Sequence, residues 1–573
     1  MTTVAQSYPG IYIQDLLSNT YTITAAPTSI TVFIGYTHPL KTTNPGKAVE
    51  LFSFTDYERE FGGFFTSTAF DKGKDKFASI ACAVNQFFLN GGSDAFVIGL
   101  SSKALASVDP PCTVITDANK TIRIKFIGRE PTDKIPIMVS ITNVQSIHKN
   151  NDTADITITY GNQIETYPKV NLDSTDKQNY IVNRIGSETN PISALVMLPN
   201  DQTYSKFIGT QGPQSLSVYP PDSTEIFSQD DFISALQQDS ELDKLPIFNL
   251  LVLPGVASNS GNSILSEALA FCERKQAFLI MDPPFADIAN GQLPGSTKRQ
   301  GEGGRERGEM TPDSCSLASS SIYYDKVNPN SDAPNPIPQS TNGALYFPYV
   351  KSIDPVTGQS SIANDPATGL PIPFTLPPSG TVAGIYASTD RKRGVWKAPA
   401  GLETITTNVT GVRDDGRLTD SQQGVLNLAG INCLRTFPGV GTVVYGARTL
   451  VGYDQPTETP FQQWKYVPVR RMALFIEQTL YRNLGWVVFE PNDEPLWAAI
   501  RLSISNFMLS LFNQGALQGS TPSQAFQVKC DSSTTTSDDQ NNGIVNIIVA
   551  FAPLTPAEFI IIKIKQLAGQ VQS

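Results

Sequence analysis

Histidine is nearly missing from this chain: His38 and His148 are the only two in 573 residues. Proton transfer near neutral pH and metal ligation both lean on imidazole, so both chemistries start with little material. Charge is scarce as well. Asp, Glu, Lys and Arg make up 17% of the residues, against about 25% in an ordinary globular protein. The balance is acidic, with 42 Lys and Arg against 53 Asp and Glu and a net charge of −11. That excludes a broad phosphate-tracking surface, and no nucleic-acid partner is expected. The six cysteines (Cys82, Cys112, Cys272, Cys315, Cys433 and Cys530) stand far apart without a CxxC pair, which argues against zinc and dithiol redox motifs. Their surroundings (ACAV, LAFCERK, INCLRT) read as core, where a reduced thiol packs as a small hydrophobe. No run approaches the ~18 apolar residues of a membrane span, so no membrane insertion is expected. The opening MTTVAQSYPGIYIQD has neither the basic start nor the apolar stretch of a signal peptide. These features predict assembly in a reducing cytoplasm.

Reaction-centre motifs are missing too. A phosphate-cradling loop needs GxxxxGK[ST], and PGSTKRQGEGG has neither that spacing nor a strand before it. GVGTVVYG at 439–446 lacks GxGxxG. No GxSxG elbow accompanies either histidine, so a Ser/His/Asp hydrolase, the competing class, has no support in the residues. The acidic pairs Asp230-Asp231 and Asp414-Asp415 read as solvated turns, since nothing apolar surrounds them to raise one pKa. Trp464, Lys465, Tyr466, Arg470 and Arg471 mix rings with cations. On an acidic chain they read as a protein-facing patch or internal ion pairs. No catalytic, cofactor-binding or metal-ligating residue is assigned, and no cofactor is expected.

What is present is patterning. Hydrophobic residues reach 40%, enough for sizeable cores, and the length suits about three or four domains. Residues 1–24 read as an extended arm, with Ile11 and Ile13 alternating with Tyr12 and Gln14 after Pro9-Gly10. Residues 25–109 have α/β character: the strand SITVFIGYT, a helix over 75–90, the Gly91-Gly92 stop, then the buried strand AFVIGL. Residues 110–205 turn β-rich, and ITITYGNQIETY reads as a hairpin about Gly161-Asn162. Residues 206–378 return to α/β: FNLLVLPG and AFLIMDPP flank a helical stretch, a βαβ pattern. Within them, 291–310 reads as a surface loop and 328–338 as a Pro-rich connector. In 379–540, Trp497, Ile500, Ile504, Phe507, Met508 and Leu511 share one helix face, capped by Asn492 or Asp493 and stopped at Gly515. A second helix carries Met472, Phe475, Ile476 and Leu480. Three strands follow, QAFQVKCD, IVNIIVAF and EFIIIKIKQ, so that 541–573 forms a C-terminal strand and arm. The expected class is a multidomain α/β and α+β chain.

Several segments resemble the sheath proteins of contractile phage tails and related injection systems. YPGIYIQD with PTSITVFIGYT is similar to the family's amino-terminal arm and first strand, and FFLNGGSDAFVIGL to its NGG segment. PPSGTVAGIYASTDRKRGVWKAPAG, GINCLRTFPGVGTVVYGARTL, WKYVPVRR and VFEPNDEPLW follow in the family's order. The resemblance is weakest over 110–245. It implies a conserved α/β core built from amino- and carboxy-terminal parts of the chain, with a β-rich inserted domain and a middle domain that is subtilisin-like in shape only. It further implies a structural, non-enzymatic subunit that polymerises as a helical sheath around an inner tube protein and contracts to drive the tube through an envelope. Baseplate proteins, tail terminator or cap proteins and sheath paralogues are the other implied partners. The subunit belongs either to a headless injection particle, the preferred reading, or to a myophage tail. Arms that pair with neighbouring subunits are expected at Ile11, Tyr12, Ile13, Val545, Ile547, Val549, Phe559, Ile560 and Ile562. Hinges are expected near 18–24 and 534–542, and a tube-facing helix surface at Arg501, Ser505 and Asn506.

Overall fold

The computed structural model describes residues 21–37, 42–64, 80–100, 112–116, 122–129, 136–146, 152–160, 163–200, 207, 209–216, 228–257, 262–283, 339–355, 358–364, 371–413, 417–452 and 462–562. His38, His148, Cys315, Asp414-Asp415, the 291–310 loop, the 328–338 connector and Ile11, Tyr12 and Ile13 lie outside these. The chain divides into two compact units, residues 28–470 and residues 1–27 with 471–573.

The larger unit is organised by one eight-stranded sheet. Its strands are β1 (Thr31–Tyr36), β2 (Ala48–Leu51), β3 (Ala95–Leu100), β4 (Leu250–Ala257), β5 (Phe278–Asp282), β6 (Gly343–Phe347), β7 (Ile431–Phe437) and β8 (Gly441–Val444), in the order β2-β3-β1-β4-β5-β6-β7-β8. The inner pairs from β3 to β7 are parallel, and the outermost pairs, β2–β3 and β7–β8, are antiparallel. Every residue of β1, β5 and β6 is buried. Unbroken apolar runs such as FLIMD are what a parallel strand covered on both faces requires. The expected βαβ unit is β4, the helix Asn262–Lys275 and β5.

Two further helices of this unit are α1 (Ile80–Leu89) and α2 (Ser379–Arg393). Ser379 through Ala387 are all buried, and small residues let the two helices nearly touch. A Cβ on Gly380 would lie 2.5 Å from the Ala83 carbonyl oxygen, and one on Gly384 2.6 Å from that of Phe87. Asp282, at the end of β5, clamps the start of α2. Its carboxylate accepts from Ser379 N at 2.8 Å, Ser379 Oγ at 2.7 Å and Gly255 N at 3.0 Å. Burial outweighs these bonds and pushes its pKa up to about 6. Arg391, Lys392 and Arg393 occupy the last turn of α2, where cations complement the helix dipole.

The β-rich segment carries a core of its own, including Phe126, Ile141, Ile156, Ile158 and Val196. Strands 138–146, 152–160, 163–171 and 211–215 form one antiparallel sheet, and 112–116, 122–128 and 196–197 another. The expected hairpin is the Asp152–Tyr160 and Gln163–Asn171 pair. Asp155 pins irregularities on both neighbours of its strand, accepting from Asn143 Nδ2 at 2.7 Å and Lys169 N at 2.8 Å. Of the mixed basic and aromatic cluster, Arg470 stacks 5.0 Å from the Trp464 ring and donates to Asn342 Oδ1 at 3.0 Å. Arg470 thus makes internal contacts, with a ring and an amide. Asp231 accepts from Tyr36 Oη at 2.8 Å.

Candidate functional site

The smaller unit is built on residues 471–483 of the helix α4 (Val467–Asn483; α3 is Asp420–Leu428 of the larger unit) and on α5 (Glu494–Asn513). All six residues expected on the buried face of α5 are buried, together with Leu496 and Ser503. This helix is long and apolar enough by composition to cross a membrane, yet its apolar stripe faces the unit's own core, the pattern of an amphipathic core helix. Asp493 is its N-cap without a side-chain bond. Asn492 instead accepts from Trp497 Nε1 at 2.9 Å and donates to the Ile544 carbonyl at 3.0 Å.

Residues 21–26 run along α4. Asn483 accepts from Thr24 N at 3.0 Å and donates back to Thr24 O at 2.8 Å, while Ala26 N donates to Thr479 Oγ1 at 3.1 Å. Tyr21 stacks on Trp486 with ring centroids 3.8 Å apart. The root of the amino-terminal arm is therefore fastened from Tyr21 onwards.

The carboxy-terminal part forms an antiparallel ribbon of β9 (Phe526–Lys529) and β10 (Ile548–Phe551). Alternation sets its two faces: Phe526, Val528, Val549 and Phe551 are half-buried, whereas Gln527, Lys529, Ile548 and Ala550 are exposed. Among the described residues no third strand joins either edge. A two-stranded ribbon is marginal alone, and its free N–H and C=O groups invite another strand. Val545 and Ile547, expected in this strand, precede it without strand pairing; Val549 lies within it. Beyond Pro553 the chain has no paired strand up to Ile562, and Phe559, Ile560, Ile561 and Ile562 are 70%, 84%, 81% and 78% exposed. Of the strand expected over EFIIIKIKQ, Phe559–Ile562 carry no strand pairing among the described residues. Each such side chain gains about 1.5–3 kcal/mol on burial.

The segment 534–542, expected as a hinge, is hydrogen-bonded locally in this structure. Thr536 and Asp539 form a capping box on the turn Ser537–Asn541, Asn546 N donates to Thr535 Oγ1 at 3.0 Å, and Gln540 Nε2 donates to Asn492 O at 3.1 Å. Polar side chains that read as linker in sequence close local rings and fasten the turn to the start of α5.

Of the expected tube-facing residues, Ser505 is half-buried and Asn506 exposed. Arg501 is engaged within the unit: its guanidinium donates to the Cys530 carbonyl and, at 2.5 Å, to Glu494 Oε1. That ties α5 to the end of the ribbon. Ala498, Leu502 and Leu509 are also exposed on this helix. These were not singled out from the sequence, although residues 502–528 contain no charged side chain. Phe489 was likewise missed; it is fully exposed and held at φ +71°, a conformation costly for an aromatic residue.

Comparison with known proteins places the chain in a family. Residues 247–450 match the model of the phage tail sheath protein central domain, and residues 459–566 that of the phage tail sheath C-terminal domain. Together they cover more than half of the chain. The chain belongs to the phage tail sheath family. A curated sheath relative is the tail sheath protein of Vibrio phage KVP40, 25% identical over 177 residues, or 30% of this chain. The match spans only 24% of that relative's length. Solved sheath-like folds match almost end to end. A chain of the anti-feeding prophage (AFP) baseplate shares 22% identity at a TM-score of 0.53, covering 98% of this chain and 99% of that one. The PVC sheath complex of an extracellular contractile injection system, in its contracted state, shares 20% at 0.52 with 98% and 99% covered. The contracted AFP helical sheath shares 22% at 0.52 with 98% and 100% covered. The mixed α/β, multi-sheet fold is that of contractile sheaths.

Proposed function

We propose that this sheath-family chain polymerises as a helix around an inner tube and contracts to drive the tube through a target envelope. The observation that carries the reading is the β9–β10 ribbon, which no third strand joins among the described residues, followed by the exposed apolar run Phe559–Ile562. One copy offers strand edges and the same copy offers strands, so head-to-tail addition leaves an open site at each end and grows without closing. In this reading the segment bearing Phe559, Ile560 and Ile562, and the amino-terminal arm bearing Ile11, Tyr12 and Ile13, add to ribbon edges of neighbouring copies through main-chain hydrogen bonds. Such bonds survive rotation of the rigid units they connect.

The exposed, uncharged side of α5, with Ser505, Asn506, Leu502 and Leu509, faces the tube. Arg501 acts by holding that helix and the ribbon together. The work is mechanical and the subunit is not an enzyme. The end-to-end match to injection-particle sheath folds favours a headless particle, assembled in a bacterial cytoplasm, over a myophage tail. Neighbouring capsid and terminase genes would reverse that choice. Baseplate proteins, tail terminator or cap proteins and possible sheath paralogues complete the set of partners.

The test is negative-stain microscopy of the purified chain beside a truncation ending at Pro556. Striated tubes are expected from the full chain, and folded monomers with an unchanged far-UV spectrum from the truncation. Normal tubes from the truncated chain would refute the strand-addition reading.

A further inference from the structure

Two corners of the chain, one in each compact unit, combine charge of opposite sign with exposed apolar side chains. The first is the end of α2. Arg391, Lys392 and Arg393 are exposed in its last turn, and across 390–405 four Lys and Arg stand against two Asp and Glu. Of the four, Lys397 turns inward, donating from Nζ to the Ala398 carbonyl at 3.0 Å and the Ala400 carbonyl at 3.3 Å. Arg393 Nη1 donates to both carboxylate oxygens of Glu403 at 2.8 Å, which brings the turn beside the exposed Leu402 and Ile405. The loop that carries them is pinned to β8: Thr404 Oγ1 accepts from Val444 N at 3.1 Å, and Thr406 N donates to the Thr442 carbonyl at 2.9 Å. The second corner is the turn before α5. Residues 488–495 include Glu490, Asp493 and Glu494 but no Lys or Arg, and all except Asn492 are exposed. Asn492 fastens the turn from beneath, through Trp497 Nε1 and the Ile544 carbonyl. At its tip the exposed Phe489 is held in the left-handed region beside the exposed Val488.

An aromatic side chain rimmed by carboxylates complements an aliphatic platform rimmed by cations: the ring supplies the apolar anchor of an interface and the charges supply its register. We propose that the Phe489 corner of one copy docks on the basic end of α2 in a second copy of this chain. Charge complementarity selects this occupant. In a chain of net charge −11 a basic, exposed platform is a minority feature, and an acidic subunit stacked on itself gains most where unlike charges meet. The two corners are different surfaces, so their contact joins unlike faces of successive copies and leaves one of each open at the ends of the row, as an open helix requires. The fold also holds Phe489 in a backbone region that disfavours a ring, which serves presentation of that ring and not the stability of its own unit. This contact is separate from strand addition, since it uses neither the ribbon nor the terminal arms. It rests on the polymer reading for its occupant.

The test uses the full chain and measures the critical concentration for sheath formation by sedimentation. Arg391→Glu with Lys392→Glu is expected to raise it about tenfold, and so is Glu490→Lys with Asp493→Lys; the four substitutions together are expected to bring it back to within about threefold of wild type. Glu494 is left in place because it pairs with Arg501. Phe489→Asn suits the left-handed backbone and deletes the ring. It is expected to raise the unfolding midpoint of the unassembled chain by about 1 °C while weakening assembly about tenfold. Charge reversal at helix ends can itself weaken the fold, so Arg391→Gln with Lys392→Gln serves as the milder pair: its critical concentration should rise less with added salt than that of wild type, at an unchanged unfolding midpoint. Assembly indifferent to both charge pairs, or no recovery in the fourfold variant when each pair keeps a native far-UV spectrum, would overturn the proposal. If reversal lowers the unfolding midpoint of the unassembled chain and the fourfold variant restores it, the corners meet within one copy and the second copy is overturned as occupant. If wild type forms no tubes, the sheath reading fails separately, and self-association of wild type against the milder pair in sedimentation velocity still decides the docking.

Discussion

Two chemically identical substitutions, Gly380→Ala and Gly424→Ala, should move stability in opposite directions. Both glycines lie inside helices, α2 and α3, so each alanine gains about 1 kcal/mol of helix propensity. At Gly424 the new Cβ meets nothing within 4 Å, and the full gain of about 1 kcal/mol is expected. At Gly380 it would sit 2.5 Å from the Ala83 carbonyl oxygen and 2.6 Å from the Ala83 Cα, where ordinary contact begins at 3.4 Å. The obstacle is backbone, which cannot rotate aside, so α1 and α2 must separate by most of an ångström. Overpacking of that kind costs about 3 kcal/mol at the upper end of its usual range, for a net loss of about 2 kcal/mol. The pair should thus differ by about 3 kcal/mol. Guanidinium denaturation of the unassembled chain, with hydrogen exchange at α2 amides as a local readout, measures the difference. Equal midpoints for the two variants would refute the close approach of α1 and α2.

Asp282 should make stability depend on pH in an unusual direction. Its pKa is raised from 3.8 to about 6, so the stability linked to its protonation is fully present below 3.8 and is lost as pH rises through about 6. Relative to Asp282→Asn, the wild type should gain about 2 kcal/mol between pH 7 and pH 4, read from paired denaturation curves; parallel pH profiles would contradict the assignment. Arg501→Ala removes the links to Glu494 and to the Cys530 carbonyl. Because Glu494 is largely exposed, a loss of about 1 kcal/mol is expected, seen as faster amide exchange in β9 with α5 unchanged. Asn483→Ala deletes both side-chain bonds to Thr24 and should speed proteolysis at residues 21–26 severalfold, by about 1 kcal/mol of local stability. An unchanged cleavage rate there would mean that the Tyr21–Trp486 stack and the Ala26–Thr479 bond hold the arm root.

Much of the fold follows from periodicities that a single segment carries. Trp497, Ile500, Ile504, Phe507, Met508 and Leu511 repeat at helical spacing and all are buried. FNLLVLPG and AFLIMDPP announce covered parallel strands, and they are β4 and β5. The ordered sheath-like segments point to the sheath family, and the family match agrees. Each of these signals is local or collinear, because hydrophobic spacing encodes which face of an element turns inward.

What the chain left undecided concerns partners distant in sequence. Only the tertiary structure shows that strands from Thr31 to Val444 join one sheet, because strand order depends on long-range pairing that no local pattern encodes. The same holds for side chains. Arg501 reads as an exposed cation on a helix, yet the Cys530 carbonyl, brought up by the ribbon, claims it. Residues 534–542 read as a hinge until their hydroxyls and amides close onto α5. The last strand reads as a strand from its alternation, yet among the described residues Phe559–Ile562 have no strand pairing and stand exposed. Alternation specifies two faces, whereas pairing requires an edge, and among the described residues no strand pairs with it.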